Sequence, residues 1–113
     1  MTFEISPQQF ATAHAAGAYV VDVREPDEYR AGHVPGAALI PLHLVPLRMD
    51  EIPQDEPVYV ICHSGGRSAQ ATLYLRRYGV EAINVAGGTD GWIQTGRPVV
   101  TGDHPGEPVK DNR

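Results

Sequence analysis

The segment from Cys62 to Ser68 reads CHSGGRS and contains the only cysteine of the chain. Its two adjacent glycines, Gly65 and Gly66, tolerate positive φ angles and allow a tightly curled backbone. A curled loop can direct successive N–H groups at one point and so form an anion-binding nest for a substrate. A thiol in such a positive field has a lowered pKa, and its thiolate is a good nucleophile at neutral pH. The pattern therefore predicts that Cys62 is a catalytic nucleophile.

The alternative for Cys62 is a purely structural role, because a single cysteine at the end of an apolar strand often serves as a small buried hydrophobe. The residues after it favour the catalytic role, since a structural cysteine needs neither a glycine pair nor a helix start behind it. The unpaired N–H groups and the positive dipole end of that helix would also stabilise an anion at the loop.

The side chains of the loop are further candidates for substrate binding. Arg67 could attract an anionic donor, because a guanidinium presents a fork of hydrogen-bond donors. His63 could lie beside the mouth of the loop. Ser64 and Ser68 can donate hydroxyl hydrogen bonds to a thiolate, although for Ser68 we favour capping of the following helix.

The elements that must position this loop alternate between strands and helices. Strands are predicted over 18–21, 37–40, 57–61 and 82–85, and helices between Ser6 and Gly17 and over 25–30, 43–49, 68–78 and 90–95. Such alternation predicts an α/β fold, with a parallel sheet covered by helices on both faces. Ligands of such sheets bind outside the carboxyl ends of the strands, and Cys62 directly follows the strand 57–61.

Two charged residues, Asp22 and Arg24, follow another buried strand and are expected at the same edge of the sheet. They could support the loop from behind, but we favour a structural ion pair or turn contacts for both. Trp92 is expected in the core or in the wall of a pocket.

Length and composition limit the remaining possibilities. The 113 residues allow one domain, predicted over 1–98, and the residues 99–113, rich in Pro, Gly and charge, are predicted to form a flexible tail. A net charge of −5 gives no support to nucleic-acid binding. A single cysteine excludes an internal disulfide and suits a reducing compartment. Neither a signal-peptide pattern nor an apolar run long enough for a membrane span is visible, so we expect a cytoplasmic protein without membrane partners.

The chain resembles the single-domain rhodaneses in four segments that together reach from the first strand to about Val99. The segments are VDVRE at 21–25 with Glu28-Tyr29, GHVPGA at 32–37, CHSGGRS at 62–68, and AGG at 86–88 with Gly91-Trp92. Each segment is weakly specific alone, but the four in this order and spacing are strongly specific.

The resemblance implies a small five-stranded parallel sheet and a ping-pong sulfur transfer. Cys62 would take the outer sulfur of thiosulfate, a polysulfide or a small persulfide, and pass it to a thiol, to cyanide or to a sulfur-accepting protein. No metal or organic cofactor is implied. The family often has Arg at the second loop position, so His63 predicts a weaker preference for thiosulfate and donor binding that depends on pH.

Two other functions compete with this interpretation. Protein tyrosine phosphatases, and by analogy arsenate reductases, also use a cysteine, an anion-binding loop and an arginine. The phosphatase loop, however, has one residue more than the four that separate Cys62 from Arg67. The second alternative is a persulfide carrier or regulatory module with little turnover of its own, which the same loop would serve.

Overall fold

The computed structural model describes residues 3–106, which form one α/β unit around a five-stranded sheet. All of its strand pairs are parallel, and the strand order is β1-β5-β4-β2-β3. The strands are Glu4–Ile5 (β1), Tyr19–Asp22 (β2), Ala38–Leu39 (β3), Val58–Ile61 (β4) and Ala82–Val85 (β5). The α-helices are Pro7–Ala15 (α1), Pro26–Ala31 (α2), Gly66–Arg77 (α3) and Gly88–Gln94 (α4). This architecture confirms the predicted fold class.

Helices cover both faces of the sheet because the buried strand residues alternate between two apolar clusters. On one face, Val58 and Val60 of β4 pack with Leu75 of α3. On the other face, Ile61 packs in a cluster that includes Phe10 of α1 and Trp92 of α4. Strands buried on both sides have this continuous apolar composition, which explains why β2, β4 and β5 could be predicted from the sequence.

The start of α1 follows the predicted capping box. The Ser6 hydroxyl accepts a hydrogen bond from the Gln9 N–H at 3.1 Å, and the Gln9 side chain accepts one from the Ser6 N–H at 3.0 Å. Preceding it, β1 is a two-residue strand that pairs with β5. The strand β1 was not predicted from the sequence, because two residues carry no detectable periodicity.

Two helical predictions need correction. The segment 43–49 forms no α-helix; it contains the 3-10 turns Leu42–Leu44 and Met49–Glu51, since Pro46 cannot donate a backbone hydrogen bond. In addition, α3 begins at Gly66 and α4 at Gly88, two residues earlier than predicted in each case. Each helix follows a glycine at positive φ, Gly65 at +116° and Gly87 at +78°. At the start of α3, glycine thus takes the capping position that was assigned to Ser68.

The predicted flexible tail is corrected for residues 99–106, which pack against the domain. Val100 and His33 exchange backbone hydrogen bonds of 2.8 and 2.9 Å. Further along, the Pro105 carbonyl accepts a hydrogen bond from the Gly36 N–H, and Val99 packs against the cluster that contains Trp92. Composition alone suggested mobility, but these contacts extend the domain beyond 98. The tail prediction for residues 107–113 lies outside the described residues.

Candidate active site

Cys62 lies at the carboxyl end of β4, the central strand of the sheet, where the sequence placed it. The residue is buried, with 1% of its surface exposed. Its Sγ accepts a hydrogen bond from the Gly65 N–H at 3.1 Å and lies 3.3 Å from the Ser68 hydroxyl. The thiol therefore sits inside the curled loop, in front of the first turn of α3.

The environment of the thiol acts on its pKa in opposite directions. Burial raises the pKa of Cys62, because it removes water from the thiolate. The Ser68 hydroxyl and the backbone N–H groups of Ser68, Gly65 and Ser64 lower it, because hydrogen bonds favour the charged form. The hydrogen bonds together outweigh burial, and the pKa of Cys62 falls below that of an ordinary thiol.

Ser68 is held in place by a chain of polar side chains behind the loop. Its hydroxyl donates to Asn84 Oδ1 at 2.5 Å, and the Asn84 amide in turn donates to Glu4 Oε2 at 2.8 Å. Ser68 is the third residue of α3 and is buried, so it does not cap the helix as predicted. One hydroxyl proton is shared between two acceptors, Asn84 Oδ1 and the sulfur of Cys62.

The start of α4 fixes the other side of the loop. The Thr89 N–H donates to the Cys62 carbonyl at 2.8 Å, and the Asp90 N–H donates to the His63 carbonyl at 3.0 Å. Gly88 makes this approach possible: a Cβ at this position would lie 2.5 Å from the Cys62 oxygen and 2.6 Å from the His63 oxygen. The glycine pair at 87–88 is therefore part of the site as well as of a turn.

Arg67 turns toward α2, where it forms an ion pair with Glu28. Its two terminal nitrogens donate to the two carboxylate oxygens of Glu28 at 2.7 and 2.8 Å. The hydrogen bonds from Arg67 lower the pKa of Glu28 to about 2, although burial opposes this shift. Glu28 Oε1 also accepts the Glu25 N–H at 2.9 Å, which ties the carboxylate to the start of α2.

Asp22 and Arg24 meet at the carboxyl edge of the sheet, next to the end of β4. Asp22 is the register partner of Ile61, the residue before Cys62. The Arg24 guanidinium donates to both carboxylate oxygens of Asp22, the shortest distance being 2.8 Å, and to the Gly32 carbonyl. Both residues are at least 95% buried. This is the structural ion pair that the sequence analysis favoured.

The remaining loop residues face the surface. His63, Ser64 and Gly66 are exposed, and Gly65 is half-buried. Two cavities flank the pair of Arg67 and Glu28. One, of about 500 Å³, has apolar walls that include Leu42, Val45, Ala71 and Tyr74, and Arg67 lines it. The other, of about 350 Å³, is lined by Glu28 together with Arg24, His63 and Asp90.

Two members of the site were not assigned a role from the sequence. Asn84 is a polar residue at a buried position of an apolar strand, and that contrast was the signal that could have revealed it. Glu28 belongs to a motif that the resemblance used, but its partner lies 39 residues further along the chain. Only the packing of α2 beside the loop brings the two charges together.

Comparison with known proteins gives a consistent result. Residues 6–95 match the model of the family described as the rhodanese-like domain. The sulfurtransferase of Allochromatium vinosum is 44% identical over 82 residues, which cover 72% of this chain and 77% of that protein. The thiosulfate sulfurtransferase GlpE of Pseudomonas entomophila is 35% identical over 109 residues, which cover 96% of this chain and 93% of the relative. A crystal structure of a rhodanese-related protein from Thermoplasma volcanium superimposes with a TM-score of 0.82 at 31% identity, covering 88% of this chain and 98% of that one.

The parallel sheet, the cysteine loop at its carboxyl edge and the matched family model agree, and the chain belongs to the rhodanese-like domain family. Its relatives place it among the sulfurtransferases at the level of the family. Among residues 3–106, no helix is both long and apolar enough to cross a membrane.

Proposed function

We propose that this protein transfers sulfane sulfur through a persulfide on Cys62. The observation that carries the proposal is the position of Sγ: it accepts the Gly65 N–H and lies beside the Ser68 hydroxyl, at the N-terminal end of α3. Hydrogen-bond donors that point at one sulfur atom stabilise both the Cys62 thiolate and the negatively charged persulfide that replaces it.

In the first half-reaction the Cys62 thiolate attacks the outer sulfur of the donor. A new S–S bond forms at Cys62, the S–S bond of the donor breaks, and the leaving group departs with the electron pair. With thiosulfate the leaving group is sulfite; with an organic persulfide it is a thiolate. Because Cys62 is buried, its Sγ can accept a single sulfur atom more readily than a bulky group.

In the second half-reaction a thiolate acceptor, or cyanide, attacks the outer sulfur of the Cys62 persulfide. The S–S bond at Cys62 breaks, and the cysteine leaves as the thiolate that began the cycle. The same N–H groups that lower the pKa of Cys62 make it a good leaving group. No step calls for a metal or an organic cofactor.

The roles of the loop residues follow from this chemistry. The backbone of Gly65 and Gly66 would hold the transferred sulfur, and Ser68 would donate to the thiolate. His63 and Ser64, both exposed, would meet the rest of the donor. Arg67 would attract an anionic donor, although its guanidinium is bound to Glu28.

A persulfide carrier with low intrinsic turnover is the second candidate. The observation in its favour is the burial of Cys62, because a partner protein could open a loop that small donors enter slowly. A phosphatase or arsenate reductase is less well supported, since the loop has one residue fewer than a phosphatase loop and its arginine is paired with a carboxylate.

A donor panel tests the proposal. Thiosulfate, glutathione persulfide and 3-mercaptopyruvate are offered to the wild type and to Cys62→Ser, and product formation is followed with cyanide or a thiol as acceptor. We expect turnover with at least one donor in the wild type and a loss of more than about 1000-fold in the variant, because the nucleophile is removed. Retained activity in Cys62→Ser would contradict the mechanism.

Two further measurements separate the alternatives. Mass spectrometry of the wild type after incubation with a donor reports whether Cys62 gains the mass of one sulfur atom. A sulfur adduct without steady turnover identifies a carrier. Hydrolysis of a phosphoester without sulfur transfer identifies phosphatase chemistry instead.

A free Cys62 thiol also requires reducing conditions, and we propose the cytoplasm as the site of action.

A further inference from the structure

Both arginines beside the cysteine loop are bound to carboxylates. Arg24 forms its ion pair with Asp22, and Arg67 forms its ion pair with Glu28. The second pair is the more accessible, with about a third of each side chain exposed. The positive charges of Arg24 and Arg67 are therefore neutralised by carboxylates where a sulfur donor would approach.

Apart from Arg24, which Asp22 neutralises, the permanently charged residues that line the two cavities around this pair are acidic. Glu28 shares its cavity with Asp90 and His63, and Glu25 lines the cavity on the side of Arg67. Each oxygen of the Glu28 carboxylate receives one hydrogen bond from Arg67, and Oε1 receives another from the Glu25 N–H. An anion that binds Arg67 must compete with this fully engaged carboxylate.

We propose that Glu28 is a specificity-determining residue, which weakens the binding of small dianions such as thiosulfate and so favours sulfur donors of lower charge. The inference rests on the proposed sulfur transfer and identifies its preferred donor class as organic persulfides. A dianion approaching Arg67 is repelled by Glu28 and competes for the same N–H donors. A persulfide with one charge places its outer sulfur in the backbone nest at Cys62 and does not need Arg67.

The variant Glu28→Gln tests this role with little change of shape. A glutamine can still accept the Glu25 N–H, so the start of α2 is kept, while Arg67 loses its counter-charge. We expect the KM for thiosulfate to fall roughly three- to tenfold, as for the loss of one unfavourable charge at a partly exposed site. The KM for the persulfide of 2-mercaptoethanol, whose only charge is on sulfur, should change less than about twofold.

The matched control is Glu51→Gln. It removes the same charge from a second exposed ion pair, between Arg48 and Glu51. That pair lies near Tyr19 at the start of β2, at the opposite edge of the sheet. We expect the KM values of this variant to match those of the wild type. Added salt should raise the thiosulfate KM of Glu28→Gln more steeply than that of the control, because salt screens an attraction that Glu28 normally cancels.

Protection by sulfate reports anion binding without turnover. Sulfate is an unreactive dianion, and its binding slows the alkylation of Cys62 by iodoacetamide. We expect Glu28→Gln to be protected at a roughly three- to tenfold lower sulfate concentration than the wild type or Glu51→Gln. Equal protection in all three proteins, or an equal gain with both donors, would refute the role of Glu28. If the wild type transfers no sulfur at all, the proposed function fails, and the sulfate measurement still decides on Glu28.

Discussion

Ser68 is the side chain that contacts the sulfur of Cys62 from within α3. Its hydroxyl is the strongest of the groups that lower the pKa of the thiol, and burial is the influence that it must overcome. Asn84 competes for the same proton, since its Oδ1 lies closer to the hydroxyl than the sulfur does. The pKa of the Cys62 thiol thus depends on a residue in the first turn of α3 and on its hydrogen-bond partner on β5.

Replacing Ser68 by alanine should make Cys62 less reactive near neutral pH. Without the hydroxyl, burial is less opposed, the pKa of the thiol rises, and a smaller fraction is thiolate at pH 7. We expect the alkylation rate of Cys62 at pH 7 to fall on the order of tenfold, as for a lost hydrogen bond to a charged group. The curve of rate against pH should move to higher pH.

The matched control is Ser64→Ala. Ser64 acts on the pKa of Cys62 through its backbone N–H, which the alanine keeps. The alkylation curve of this variant should overlay that of the wild type. If the Ser68→Ala curve also overlays the wild-type curve, the Ser68 hydroxyl donates its hydrogen bond to Asn84 in both charge states of the thiol and does not stabilise the thiolate.

At the scale of elements, the site is an assembly of three helix starts around the end of β4. The loop that leads into α3 and the first turn of α3 supply the N–H groups, α4 supports the backbone of the loop, and α2 supplies Glu28. The contact between the loop and α4 is a close approach of two backbones, which depends on the absence of a Cβ at Gly88.

The substitution Gly88→Ala should be strongly destabilising. Its Cβ would overlap two carbonyl oxygens of the loop, and the residue has a φ of +58°. We expect a loss of about 3 kcal/mol in the free energy of unfolding, from steric overlap together with left-handed backbone strain. Urea denaturation measures this loss, and a reduced rate of sulfur transfer in the folded variant would report the displaced loop.

Gly79→Ala separates strain from overlap. Gly79 has a φ of +91°, but a Cβ at this position meets nothing within 4 Å. Only the conformational cost remains, about 1 kcal/mol, and the activity should be unchanged. Equal losses in the two variants would mean that the overlap at residue 88 is relieved without cost, and would contradict this prediction.

At the scale of the whole molecule, residues 99–106 complete one face of the domain. They cover His33, which is fully buried and whose Nε2 lies 3.0 Å from the His104 carbonyl. Gly102 donates to the carbonyl of Arg30 at the end of α2, the helix that carries Glu28. Residues 99–106 therefore contact an element that contributes to the site.

Truncation after residue 98 should destabilise the protein relative to truncation after residue 106. The shorter form loses the backbone hydrogen bonds to His33, Gly36 and Arg30 and exposes the buried imidazole of His33. We expect it to lose on the order of 4 kcal/mol, at about 1 kcal/mol for each of these four backbone hydrogen bonds, two of which join Val100 to His33. Thermal unfolding of both forms provides the measurement. Equal melting temperatures would restore the idea that the domain ends at residue 98.

The sequence by itself determined the local parts of this protein. Apolar runs located the central strands β2, β4 and β5, and the glycine pair after Cys62 indicated a curled loop followed by a helix. These features depend on neighbours within a few residues, so periodicity and turn chemistry reveal them. The order of four short motifs then pointed to the family, which the comparisons show.

Only the tertiary structure decided which distant groups meet at the site. The partner of Arg67 is Glu28, the partner of Ser68 is Asn84, and residues 99–106 fold back onto α2. Each of these contacts joins positions that are far apart in the chain. The packing of the helices on the sheet determines which positions meet, and local composition does not encode that packing. For Cys62 the sequence predicted a reactive thiol, and the structure identified which groups tune it.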